Sequence, residues 1–235
     1  HEDSTRGYSK GHTLEGGALT FIAIMGQGTY GTVWLTRRAL GPGIASDLVA
    51  VKIFDRGYLH PDEREIPDNV NAEWEINVYT ILQRQWDSAA YIVPLLSHGF
   101  NYLVMELQSD PTLHFVSRSL NRVSHELLVA VGTGLLGAIN FMHKCGFSHC
   151  DLAPANIFVS PKGRVRLLDM GLARRTVEQK HSDYVTVRWY RAPEVILSLA
   201  QGQPIDMWGV GVILLQLLLG DAPFQGKNST AQYLD

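Results

Sequence analysis

Cysteine is nearly absent from this chain: Cys145 and Cys150 are the two among 235 residues. Two cysteines make neither a disulfide framework nor a zinc site, and they read as reduced thiols of a cytoplasmic and/or nuclear protein. Charge is sparse as well. Lys and Arg number 20 against 23 Asp and Glu, for a net charge of −3, so no basic surface for nucleic acid is expected. Long apolar runs are missing too. Residues 127–142 and 209–220 fall short of the roughly 20 residues a bilayer span needs, and Asn140 and Gln216 interrupt them. They read as core helices, with no membrane partner. What is abundant is apolar material: 46% apolar against 18% charged residues describes a globular chain with a substantial core.

The polar, glycine-rich residues 1–17 read as disordered. Strand-like runs follow at 18–26, 32–38 and 48–54, separated by glycine turns and the loop ALGPGIASD, and suggest a small antiparallel sheet. After a loop with Pro61 and Pro67, residues 71–85 show helical spacing at Trp74, Val78, Ile81 and Leu82. Residues 91–107 hold two more strand-like runs. Beyond Pro111 the pattern turns helical, over 112–145 and again over 204–220. The expected organisation is α+β: a disordered 1–17, a β-rich lobe over 18–107 with a five-stranded sheet and one helix, and a mainly helical lobe over 108–235.

One hairpin interrupts the helices. NIFVS (156–160) and RVRLLD (164–169) flank the turn PKG. Folding them about Lys162 sets Asn156 roughly opposite Asp169 and gathers Asp151, Asn156 and Asp169 in one patch. A carboxylate and an amide carbonyl side by side, without His or Cys, are hard-oxygen donors suited to Mg²⁺ rather than zinc. At 26–31, GQGTYG joins two strands rather than a strand and a helix, so a dinucleotide fingerprint does not fit. A glycine hairpin can instead lay backbone N–H groups over a phosphate chain. Lys52, amid the apolar residues of VAVK, needs an anionic partner if buried. Glu75 on the next helix is the natural one, with Glu73 as the fallback.

Together these residues resemble a eukaryotic protein kinase. The glycine loop 26–31, VAVK at 49–52, the helix glutamate, HCDLAPAN at 149–156, DMG at 169–171, APE at 192–194 and DMWGVG at 206–211 stand in the kinase order. The resemblance covers about residues 18–235 and implies a bilobal fold whose C-lobe is incomplete, so a C-terminally truncated form is expected. It implies ATP and Mg²⁺ as cofactors and a protein substrate. Gly26, Gly28 and Gly31 would cover the phosphates. Lys52, paired with Glu75, would hold them, Asp151 would orient the substrate hydroxyl and accept its proton, and Asn156 and Asp169 would hold the metal. Met105 resembles the gatekeeper, and Glu106 and Leu107 the start of the adenine-binding hinge. Val33, Ala50 and Phe158 resemble the apolar sandwich around the adenine ring. Asp206 resembles the acid that anchors the catalytic-loop backbone, and Glu194 a structural ion-pair residue.

SDYVTVRWYRAPEV (182–195) is similar to the cyclin-dependent and mitogen-activated kinase group. Ser182 and Tyr184 stand where that group is phosphorylated, which implies an activating kinase, with Arg188 and Arg191 as partners for a phosphorylated Tyr184. The resemblance also implies serine/threonine transfer and a preference for Pro after the target residue. Three residues depart from the pattern. Cys150 replaces the arginine that clamps the phosphorylated segment. Ala153 replaces the lysine near the transferring phosphoryl group, and Val187 the threonine that bridges it. Tyrosine kinases share the alanine but supply an arginine two residues later, where this chain has Ala155. These departures leave two expectations: a slow kinase, or an ATP-binding pseudokinase acting as a scaffold or allosteric partner. Met170 for the usual Phe is a mild apolar swap, His149 reads as a packed core residue, and Arg174 and Arg175 read as solvated.

Overall fold

The computed structural model describes residues 4–5, 8–28, 31–54, 72–120, 123–176, 188–197, 199 and 202–226. They form two compact units, residues 1–77 with 94–107 and residues 78–93 with 108–235. The expected Ser182, Tyr184 and Val187 lie outside the described residues, as does the loop with Pro61 and Pro67.

The first unit is an antiparallel sheet. Its short leading strands are β1 (Ser4–Thr5), β2 (Tyr8–Ser9) and β3 (Thr13–Leu14). The long ones are β4 (Leu19–Gly28), β5 (Gly31–Arg38) and β6 (Asp47–Phe54). Strands β7 (Leu95–His98) and β8 (Tyr102–Glu106) complete the sheet; between β6 and β7 the chain forms helix α1 (Ala72–Gln83), divided between the units after residue 77, and α2 (Ser88–Tyr91) of the second unit. The sheet has six strands in the order β3-β4-β5-β6-β8-β7. Strand period two sorts side chains between its faces. Trp34, Val49, Val51, Ile53 and Val104 form an apolar core with Leu19 and Phe21.

One expectation is corrected here. Residues 8–17 are not disordered, and their strand β3 adds a sixth strand to the five expected over 18–107. Leu14 pairs with Leu19 and packs on the core together with Tyr8, while His12 stacks on Phe21 at 5.9 Å. Three apolar or aromatic side chains among polar residues suffice to dock this segment, and composition averaged them away.

The second unit takes residues 78–93, which were expected in the first lobe. Ile92 bridges to Leu167, Val93 N donates to Leu167 O at 3.0 Å, and Tyr91 stacks on Phe141. The unit's other elements are α3 (Leu113–Ser119), α4 (His125–Lys144), β9 (Phe147–Ser148), β10 (Ile157–Val159), β11 (Val165–Leu167), β12 (Arg174–Arg175), α5 (Pro193–Ile196) and α6 (Pro204–Leu219). Ser124 caps α4, its hydroxyl accepting from Leu127 N at 3.2 Å. At 20 residues, α4 is long and apolar enough to cross a membrane, which the 16-residue run understated. Its residues Val131, Leu135, Ala138, Ile139 and Met142 are buried, at the spacing of one helix face. It packs against α6, β9 and β11, as a core helix does.

β10 and β11 pair antiparallel with Ile157 opposite Leu167. Their turn needs Gly163, which has φ +75 and lies where a Cβ would meet the Ala130 Cβ at 2.3 Å. Gly146 has a similar φ of +83 in open space. Gly146→Ala is therefore expected to cost about 1–2 kcal/mol of left-handed strain. Gly163→Ala adds overpacking of about 1–3 kcal/mol. Chemical denaturation separates them; equal losses would mean that α4 yields at no cost.

Candidate active site

In the first unit, register places most of the expected nucleotide residues on one face. Val33 pairs with Lys52, Lys52 with Leu103, and Ala50 with Met105. Cross-strand partners share a face, so Val33, Ala50, Lys52 and Met105 lie together on the face opposite the Trp34 core. Gly26 pairs with Val33 and Gly28 with Gly31, which closes the glycine hairpin. A Cβ at Gly31 would meet the Ile53 carbonyl oxygen at 2.1 Å, so β5 can run this close to β6 only as glycine. Gly26 and Gly28 are exposed, as is Glu106, while Leu107 is half-buried.

Lys52 and Glu75 meet: Nζ donates to Oε2 at 2.8 Å and to Oε1 at 3.1 Å. Both are buried. Two charges withdrawn from water this far stay ionised only as a tight pair. The Phe54 ring adds a cation–π contact 5.1 Å from Nζ. Glu73, the fallback, is exposed on α1.

In the second unit, the site grows from Asp206 on α6. Its carboxylate is 1% exposed and accepts three hydrogen bonds. They come from His149 N at 2.8 Å, Cys150 N at 2.9 Å and His143 Nε2 at 2.8 Å. Anchored in this way, Cys150 adopts φ +64. His149 is fully buried. Its Nδ1 accepts from Asp151 N at 3.2 Å and its Nε2 donates to Leu168 O at 3.1 Å, so the ring ties the catalytic loop to the hairpin. Asn156 Nδ2 donates to Asp151 Oδ2 and to Asp151 O, both at 3.0 Å. Asp151 and Asn156 are thus brought together as expected.

The expected alignment of Asn156 with Asp169 is off by one residue. Leu168 N donates to Asn156 O at 2.9 Å, so Asp169 follows one step beyond. Asp169 has φ +64, and its Oδ1 accepts from Gly171 N at 3.2 Å. Phe158 lies on β10 opposite Arg166, and Met170 is fully buried. Among the described residues, no group of three or more His, Cys, Asp or Glu gathers as a metal cage. With Asn156 Nδ2 committed to Asp151, its Oδ1 is the atom for a cation. One amide oxygen and one carboxylate suit Mg²⁺, which keeps waters and phosphate oxygens among its ligands.

Arg174 is buried rather than solvated, and only Arg175 is exposed. Pairing of β12 with β9 sets Arg174 opposite Ser148 and turns alternate side chains inward. Its Nε and Nη2 have no hydrogen-bond partner among the described residues. Arg188 lies in a 3-10 turn over 188–190, and Arg191 and Glu194 are half-buried beside it. Sequence reading missed two residues here, His143 and Tyr79. The first is an unremarked histidine at the end of α4. The second, a buried tyrosine on α1, accepts from Asp169 N at 3.3 Å. A signal existed for Tyr79: with Glu75 it completes the 75-78-79-82 helical stripe that is in fact buried.

Burial and the nearby Asp206 charge push the Cys150 thiol well above its ordinary value of 9.0. The sign follows from the unfolded chain, which releases this proton near pH 9 while the folded protein retains it. The associated stability is therefore intact below pH 9 and is lost as pH rises beyond it. Relative to Cys150→Ala, the wild-type protein is expected to lose up to about 1.4 kcal/mol per pH unit there. Denaturant titrations from pH 8 to 10.5 measure this, and parallel curves would contradict it.

Residues 19–235 match the family of the protein kinase domain. Cyclin-dependent kinase-like 1 of Caenorhabditis elegans is 32% identical over 214 residues, 90% of this chain and 58% of that protein. Mitogen-activated protein kinase 12 of Danio rerio is 37% identical over 139 residues, 59% of this chain and 37% of that protein. Ribosomal protein S6 kinase alpha-6 of Mus musculus is 28% identical over 230 residues, 94% of this chain and 28% of that protein. The chain thus spans less than two thirds of the length of these relatives. The match over nearly the whole chain, joined to the geometry of residues 149–171, makes it a member of the protein kinase domain family.

Proposed function

We propose that the chain is a protein serine/threonine kinase of reduced rate, moving the γ-phosphoryl group of ATP to hydroxyls of a protein substrate. The observation that best supports this is the catalytic loop. Asp206 holds its backbone, His149 holds Asp151 N, and Asn156 holds the Asp151 carboxylate. Asp151 then orients the substrate hydroxyl. It takes the proton as the hydroxyl oxygen bonds to the γ-phosphorus and the bond to the ADP oxygen breaks. Lys52, steadied by Glu75, holds the α- and β-phosphates, and Gly26, Gly28 and Gly31 cover them with main-chain N–H groups. Met105, Glu106 and Leu107, with Val33, Ala50 and Phe158, receive the adenine. Mg²⁺ held by Asn156 and Asp169 would neutralise charge between the phosphates.

The reduced rate is inferred from Ala153 and Val187, which remove the cation and its bridge at the transferring group. One missing preorganised contact of this type costs on the order of 10²–10³ in rate. Serine/threonine preference is supported by the similarity to cyclin-dependent-like and mitogen-activated kinases.

The test is transfer of γ-phosphate to a generic protein substrate by the wild-type chain and by Asp151→Asn. The variant is expected to lose the signal. Equal signals would overturn the reading and favour a nucleotide-binding scaffold. Ala153→Lys is expected to raise kcat by roughly tenfold or more; no gain would place the rate deficit elsewhere.

A further inference from the structure

We infer that Tyr79 is a positioning residue for Asp169, acting on the aspartate through its main chain. The inference rests on the reading of Asp169 as a Mg²⁺ ligand proposed above. Tyr79 is fully buried on α1, where a phenol hydroxyl must find a polar partner. It finds the N–H of Asp169 at 3.3 Å and accepts from it. That N–H needs a partner just as much. The ladder of β11 ends at Leu167, and Leu168 N is the last amide of the hairpin to reach its opposite strand, at Asn156 O. Asp169 then turns to φ +64, a left-handed conformation that no ladder supports.

Two contacts therefore fix the residue from opposite ends. Tyr79 holds the amide, and Gly171 N holds Oδ1 at 3.2 Å. Both contacts bear on where the carboxylate points, because rotation about the Asp169 main chain would swing it away from its place one register step beyond Asn156. A phenylalanine at 79 keeps the ring and its packing but leaves the Asp169 amide without this acceptor. The consequence falls on metal-dependent events and spares the metal-free ones. That separates positioning from general packing.

The experiment measures ATP binding by calorimetry across a Mg²⁺ titration, and again in excess chelator, for the wild-type chain, Tyr79→Phe and Tyr79→Leu. Both variants are expected to raise the Mg²⁺ concentration for half-maximal enhancement by roughly three- to tenfold, the worth of one hydrogen bond, with metal-free affinity unchanged. An unshifted Mg²⁺ midpoint overturns the inference. So does a parallel loss of metal-free affinity, which would make Tyr79 a packing residue only. Asp169→Asn is the separate control. If it titrates as the wild type does, the reading of Asp169 as metal ligand fails and the inference with it. If it loses the Mg²⁺ response while both Tyr79 variants keep theirs, the inference alone fails.

Discussion

The second unit is organised around one buried carboxylate. Asp206 has almost no access to water, so its charge is tolerable only if protein donors replace its hydration. Three do, two of them consecutive main-chain amides. Hydrogen bonds to an ionised group contribute about 1.5–3 kcal/mol each. The left-handed conformation they impose on Cys150 costs about 1–2 kcal/mol. The two amide bonds outweigh that strain, so the turn between His149 and Asp151 is the stable state of the loop. The hydrogen bonds from His149 to Leu168 and from Asn156 to Asp151 build on that turn.

The first unit depends on a different buried charge, and here pairing does what the amides do for Asp206. A sheet whose one face is filled by Trp34, Val51, Ile53 and Val104 leaves the other face to hold something else. Strand alternation puts Lys52 there, between Val33 and Leu103. An ammonium in that setting would lose its proton or draw in water without a counter-charge. Glu75 supplies the charge at 2.8 Å. The pair itself adds little net stability, since desolvation offsets much of the attraction. What it fixes is position: the ammonium is held by a bidentate partner and an aromatic face.

How much of this was legible in the sequence varies with the signal. The long strands, α4, α6 and the hairpin follow from periodicity and turn residues, and the structure places them within a few residues of the expected ranges. Lys52 with Glu75 and Asp151 with Asn156 were legible because a lysine among valines, or an acid near an amide, each demands a partner. The misses share a cause. Arg174, Tyr79 and Tyr8 are amphipathic side chains whose burial depends on which neighbour covers them, and of the three only Tyr79 left a trace in the sequence, on a helical stripe that was read one position off. Helix α1 shows the cost. Counting Trp74 and Ile81 as core rotated the apolar stripe by one position and left Tyr79 out of it, although Val78 and Leu82 were on it.

The departures from the kinase pattern now separate into kinds. At position 150 the loop is held mainly through the main-chain amide; the thiol adds a weak hydrogen bond to Ser148 O at 3.6 Å and packs with Ala192, Val195 and Ile205, so cysteine is accepted without loss of form. What disappears is a positive charge, and the buried Arg174, paired opposite Ser148 and acting on the Cys150 thiol, keeps some positive charge near this loop. Position 153 is different. Ala153 is buried beside the 3-10 turn that carries Asn156, and no neighbouring main-chain group can stand in for a cation at the end of a long side chain. Geometry and charge are therefore supplied by separate parts of this loop. The first depends on hydrogen bonds to Asp206, His149 and Asn156, all of which are present. The second depends on cationic side chains, which positions 150 and 153 lack, so the geometry of the loop is complete without the charge that the family pattern places there.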